Sequence, residues 1–409
     1  MVYILSALLL SSCSLKNTVI HQWRGTERNG IYSGEGLLEV WPQEGPSELR
    51  VIAGLGNGYG SPVFSGEHFF ITGEVDSMAN LFCFDPEGSK HWQTLLGPEW
   101  VTSFPGSRSA PTIAGDRIYV GTGMGDLFCV DRTDGNVIWT RYFEKDFQGV
   151  YPLHGHSEAA AVYRDLVFWT PGGPGHNVVA LDRFTGEIIW SSPAMGERSA
   201  YHHPRVIELP SRAILVTFSA YHLMGLDAMT GELLWTHEQD NLSPEERKIG
   251  YGDTHANTVL FDQGAIYYAA GDGNGGVKLE LSEDGSSIRE LWRNPGFDSF
   301  MGGIVKIGET LYGGGSSRRF LKSIHAGSGE IIDSLDINTG AVIAAGNRLY
   351  YYNWKGEMHL VAFDEGRLGP VSSFRITRGT REHFSHPVIH QGILYQRHGN
   401  VLIAYKIHN

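Results

Sequence analysis

The chain has 409 residues, of which 41% are hydrophobic and only 19% charged, enough apolar material for a large core. Its 53 glycines are nearly twice the ~7% share of ordinary proteins, which favours many turns and strands over long helices. A net charge of −13 excludes broad binding to a phosphate backbone, so no nucleic-acid partner is expected.

At the N-terminus the run VYILSALLLSS has the length of a signal-peptide core and is too short to cross a bilayer as a mature helix. Leu10-Ser11-Ser12-Cys13 resembles the cleavage box of bacterial lipoproteins. The reading is a signal peptide over residues 1–12, lipidation at Cys13 and a lipid-attached tether over 13–22, with an ordinary secretory signal as the alternative. The other two cysteines, Cys83 and Cys129, hold the same place in successive repeats and read as small apolar fillers of equivalent strands. Residues 23–46 contain Trp23, Tyr32 and Trp41 among glycines and read as a wrap packed on the folded body.

From Ser61 the chain repeats. LFCFDPEGSKHW ends at Trp92, LFCVDRTDGNVIW at Trp139, VVALDRFTGEIIW at Trp190 and LMGLDAMTGELLW at Trp235. Each is a strand, a tight turn and a second strand. Asp182 can accept backbone N–H groups two residues on, and Gly186 can take positive φ without a Cβ penalty. Two further short strands precede each hairpin, as in Arg117-Ile118-Tyr119-Val120, so one unit is four strands. Later units are worn: one keeps Trp292, one has Asp333 in the Trp place, and one offers Phe374 there. The last stops after three strands, and SELRVIAG near residue 50 reads as its missing fourth, with Arg50 in the Trp place. The expected fold is therefore all-β: an eight-bladed β-propeller of four-stranded antiparallel blades, one domain over 23–409, closed by an N-terminal strand that completes the last blade and removes a free sheet edge.

Ala180-Leu181-Asp182, Thr185-Gly186-Glu187 and Trp190 resemble the Trp-docking repeat of the pyrroloquinoline quinone (PQQ) dehydrogenases and their cofactor-free relatives. PQQ is not expected, because the resemblance implies a vicinal Cys-Cys pair beside the quinone and the chain has no Cys-Cys dipeptide. With an eight-bladed ring and a lipid-modified Cys, the chain is similar to the BamB family of envelope lipoproteins. That likeness implies a monomer in the bacterial cell envelope, anchored to the outer membrane and facing the periplasm or the surface, which binds a protein.

In a propeller the first strand of each blade lines the axis, and the residues before it crowd one mouth of the channel. Aligning those lead-ins gathers Arg108, His154, His156, Glu158, Tyr201, His202, His203, Asp253, His255, Arg381, His383 and His386, whereas Gly302, Gly303 and Gly340 leave room. Three chemistries suit such a set: a polar, wet pore; a ligand site for a glycan or protein, with Arg108 or Arg381 on a carboxylate; or a divalent metal held by His156, His203 and His255. A carbohydrate-active enzyme of lyase or hydrolase type would use His156, His203, His255 or Tyr201 as acid or base. The leading functional reading is an envelope binding scaffold for a protein or glycan, with such an enzyme as the alternative and a PQQ-dependent dehydrogenase behind both.

Overall fold

Alternating apolar residues and Asp–Gly turns fold each repeat into one antiparallel sheet, in which successive strands are neighbours. The computed structural model describes residues 18–239, 242–316 and 319–409; the signal peptide, Cys13 and the first part of the tether lie outside the described residues. Among the described residues there are eight sheets: residues 63–98, 112–141, 161–192, 205–238, 260–294, 304–335 and 340–375 form blades one to seven. Blade eight combines Val388–His390, Ile393–His398 and Val401–Lys406 with the N-terminal strand Glu48–Ile52, which pairs antiparallel with Val401–Lys406. The expected closure of the ring by its two ends is thus the observed one. The one helix among the described residues is the five-residue Phe143–Phe147.

The hydrophobic core lies between blades. Buried residues of blades two and three, for example, share one cluster in which Tyr119 and Cys129 pack with Val167 and Leu181. The terminal Trp of a repeat bridges to the next blade. Trp139 donates from Nε1 to the Arg183 carbonyl at 3.1 Å, Trp190 to Ala228 at 3.0 Å and Trp292 to Ala326 at 3.0 Å. Its ring lies on the turn glycine of that next blade: a Cβ on Gly186 would sit 2.7 Å from Trp139, and one on Gly231 2.5 Å from Trp190.

The worn positions are filled by other chemistry rather than left loose. Arg50 donates to the Pro86 carbonyl, the residue after the turn Asp85, which is the acceptor position that the Trp indoles use elsewhere. Asp333 accepts the Leu368 N–H at 2.9 Å, and Ser323 donates to the Gly366 carbonyl at 2.5 Å. Phe374 is not in the Trp register. The bulge in blade seven falls between Leu360 and Val361, which puts Ser372 at that point and Phe374 two residues beyond. An altered turn shifted the sequence alignment by two residues, which preserves the face but not the position. The aromatic in that slot is Trp41, whose backbone N–H donates to Ser372 Oγ at 3.1 Å and whose ring packs on Phe374 and Tyr350 at 5.2 and 5.7 Å.

Residues 18–46 do more than cover the body. Ile20–His21 pairs with the axial strand of blade two, Ile31–Tyr32 pairs in parallel with that of blade seven, and the turn between them lies in the channel. From there the segment runs outward across blade seven to the rim strand Glu48–Ile52, with Leu38 N–H donating to the Ile407 carbonyl at 2.7 Å.

Candidate functional site

The axial edge of every first strand turns unpaired backbone groups toward the channel, and these need partners. Ile20–His21 and Ile31–Tyr32 supply some in blades two and seven, and two arginines of the N-terminal turn supply others. Arg24 donates to the carbonyls of Ile304 at 2.7 Å and Val342 at 2.9 Å, and to Nδ1 of His386 at 3.1 Å. Arg28 reaches the other side of the ring, donating to the carbonyls of Pro204 at 2.8 Å and Ala160 at 2.5 Å. Burial lowers the pKa of Arg24 to about 10 and of Arg28 to about 9, so both remain charged at neutral pH. Gly303, at φ +70°, makes the space: a Cβ there would stand 2.1 Å from the Arg24 guanidinium. The room at Gly303 is therefore taken by Arg24, whereas Gly302 and Gly340 are packed by neighbouring backbone.

This plug closes one end of the channel, and Trp23 forms the floor of what remains. Its indole lies 4.1 Å from the His203 ring and 4.8 Å from the His386 ring, centroid to centroid. Above it is a cavity of about 370 Å³ with walls of aromatic side chains in mutual contact. Phe384 meets Trp354 at 5.2 Å, Tyr59 at 5.6 Å and Phe104 at 5.8 Å, and Phe300 continues the series from Trp354 at 6.1 Å. Phe104 is 39% exposed at the rim. Arg108, His154 and Tyr201 complete the wall.

Of the twelve residues that the lead-in alignment gathers, five line this cavity: Arg108, His154, Tyr201, His203 and His386. His156, Glu158, His202, Asp253 and His255 are buried and do not line it. His156 lies under Trp169 at 4.5 Å and reaches the Thr170 carbonyl through Nε2 at 3.3 Å. His255 stacks on Phe218 at 4.2 Å, and His202 meets the same Phe218 ring in a T-shaped contact at 4.8 Å. Asp253 forms a buried ion pair with Arg198 at 2.5 Å. Glu158 accepts the Thr170 N–H at 3.1 Å, and burial holds its carboxyl well above the ordinary carboxylate range. Arg381 is exposed, and His383 stacks on His398 at 3.9 Å, both apart from the cavity lining.

His386 has both ring nitrogens engaged: Nδ1 accepts from Arg24, and Nε2 donates to the Met301 carbonyl at 2.8 Å. His203 accepts the Ala159 N–H on Nδ1 at 2.8 Å, which fixes its proton on Nε2. Burial keeps His203 well below the ordinary histidine range and His386 at about 3, so both are neutral at pH 7.

Among the described residues no group of three or more His, Cys, Asp or Glu side chains could hold a metal ion. The expected set His156, His203 and His255 does not form one, because each ring is committed to a different carbonyl, amide or aromatic neighbour. A quinone with calcium does not fit the residues at the floor either: two neutral imidazoles and an indole offer no carboxylate, and Cys83 and Cys129 are free thiols buried in separate blades.

Sequence reasoning missed the aromatic lining. Phe300 lies in a lead-in that reads as mostly glycine. Trp354 belongs to the turn between the second and third strands of blade seven, Arg348–Asn353 and Glu357–Asp364. In an up-and-down blade that turn emerges on the same face as the lead-ins, so counting strand direction would have found it.

Fold and site together define an eight-bladed propeller of Trp-docking repeats whose axis is stopped by its own N-terminal segment. The profile of the family described as outer membrane protein assembly factor BamB matches residues 77–342, and the chain belongs to that family. Proteins called outer membrane protein assembly factor BamB from Yersinia pestis and Nitrosomonas eutropha are 24% identical over 239 residues and 28% identical over 179 residues. These alignments take in 57% and 43% of this chain but only 52% and 37% of the relatives, so the chain spans about half or less of the relatives it matches. Among solved structures, BamB from Moraxella catarrhalis superposes with a TM-score of 0.63 at 14% identity, covering 88% of this chain and 99% of that one. A europium-containing methanol dehydrogenase superposes with a TM-score of 0.64 at 10% identity, covering 91% and 88%. At such identities the likeness is one of fold.

Proposed function

We propose that this protein is a lipid-anchored binding scaffold of the bacterial envelope that serves the assembly of outer-membrane proteins by binding a protein of the assembly machinery. The observation that carries the reading is the family match over residues 77–342, five whole blades and part of the first. The aromatic lining of the cavity suits binding, and His386, with both ring nitrogens engaged, has none free to move a proton. The anchor in this reading is Cys13, with the protein on the periplasmic side of the outer membrane.

Two experiments test it. In a bacterium lacking its own BamB family member, expression of this chain should restore the level of outer-membrane barrel proteins; expression at normal level with no restoration sinks the assembly role. Feeding an alkyne fatty acid should label the wild type and leave Cys13→Ser unlabelled, and an unlabelled wild type sinks the anchor alone.

A further inference from the structure

We propose that the aromatic cavity is a ligand site for a small apolar group that carries one carboxylate, an aromatic acid in chemical class, seated on Trp23 with its carboxylate on Arg108. The inference stands on the cavity and is independent of the assembly role. A space of about 370 Å³ is in the range of small-molecule pockets and accommodates one ring system with a short substituent. The ring contacts from Phe300 through Trp354 and Phe384 to Tyr59 and Phe104 give flat apolar faces to such a ring.

The charge requirement comes from Arg108. Its Nη2 donates to the carbonyls of Ser103 at 2.6 Å and Phe104 at 2.8 Å, and its side chain lines the cavity. The neighbouring carboxylates make their hydrogen bonds elsewhere, Glu99 acting on Arg108 through its charge alone. Glu99 accepts from Ser107 Oγ at 2.6 Å and from the N–H groups of Gly123 at 2.6 Å and Trp100 at 2.8 Å. Glu382 accepts from the Tyr59 hydroxyl at 2.5 Å. A cation in an apolar wall whose guanidinium bonds only to carbonyls is complementary to a carboxylate, the acceptor for which a guanidinium is shaped. A second donor stands at the floor: His203 carries its proton on Nε2, for which the protein supplies no acceptor.

The acid is either free or the end of a peptide whose last residue is aromatic. Calorimetry on the full chain at pH 7 separates these, using phenylpropionate, its amide, and a hexapeptide ending in Phe as free acid and as amide. At least one acid should bind about 10-fold tighter than its amide, the effect of one charge-assisted hydrogen bond. A tighter peptide acid identifies the chain end as the source, and a tighter phenylpropionate a free acid. Arg108→Gln should abolish the preference for acid while leaving the affinity for amide. Phe104→Ala should weaken acid and amide alike; since Phe104 is a rim residue, this variant keeps the test open if Arg108→Gln fails to fold. Equal affinity for acid and amide in the wild type, or no binding of any of the four at about 10 mM, overturns the proposal.

Discussion

At the residue scale, the histidines gathered at the mouth divide: His154, His203 and His386 line the cavity, while His156, His202 and His255 are interior. A lead-in alignment places residues along the axis but does not say whether a side chain faces the channel or the sheet behind it. His154 and His203 face the cavity, whereas His156, a neighbour of His154 in sequence, is under Trp169. Burial in neutral form has a thermodynamic signature. The pKa is about 4 for His156 and about 3 for His202 and His386, and it is lowered well below the ordinary value for His203 and His255. In the unfolded chain each takes up a proton near pH 6.5, while the folded protein does not until much lower pH. Between these values the unfolded state binds more protons, so stability is full above pH 6.5 and lost as pH falls toward 4, by up to about 1.4 kcal/mol per pH unit for each group. Urea midpoints measured at pH 7 and pH 5 should show a marked loss, and His156→Gln should lessen it. Glu158 has the opposite sign: its pKa is raised, so its contribution is present at low pH and is lost as pH rises through the folded value. Glu158→Gln should therefore gain on the wild type as pH goes from 5 to 8 in the same measurement.

The repeat was the most legible feature at the element scale, because Asp, Gly and Trp at fixed spacing have one joint purpose. The Trp of one blade needs a carbonyl to accept its N–H and a glycine to lie on, and the turn of the next blade supplies both. Gly186 has φ +74° and no space for a Cβ against Trp139. Gly186→Ala should cost about 2 kcal/mol or more, read as a lowered urea midpoint with unchanged slope. The exceptions were less legible, since sequence spacing alone does not show what takes over a missing Trp. Arg50 could be placed because the strand could be placed. Trp41 could not, because it arrives from outside the repeat. Trp41→Ala should destabilise by about 3–5 kcal/mol, as for a Trp lost from a core, whereas Ser372→Ala should cost about 1 kcal/mol, both by denaturant titration.

For the whole molecule, ring closure followed from counting strands, but the plug did not. Nothing in WRGTERNG has a period, and sequence alone gives its arginines no partners; the axial carbonyls that they satisfy appear only in the fold. Arg24 then links the inner ends of blades six, seven and eight, and Arg28 those of blades three and four. Losing Arg24 leaves two buried carbonyls and one imidazole nitrogen without a donor. Arg24→Met should therefore lower stability by about 3 kcal/mol and expose the cavity floor, checked by melting and by faster amide exchange at Ala344, which donates to the Gly30 carbonyl at 2.9 Å.

The plugged ring keeps an aromatic cavity open at one mouth, and the proposed function places that body in outer-membrane assembly as a binding scaffold. The most direct measurement is quantitative co-purification: the full-length chain, tagged at its C-terminus, recovered from mildly solubilised envelopes of a bacterium whose own BamB family member has been deleted. The account predicts stoichiometric recovery of at least one protein subunit of the assembly machinery. Recovery of the tagged protein in its folded state with none of the machinery's subunits would contradict it.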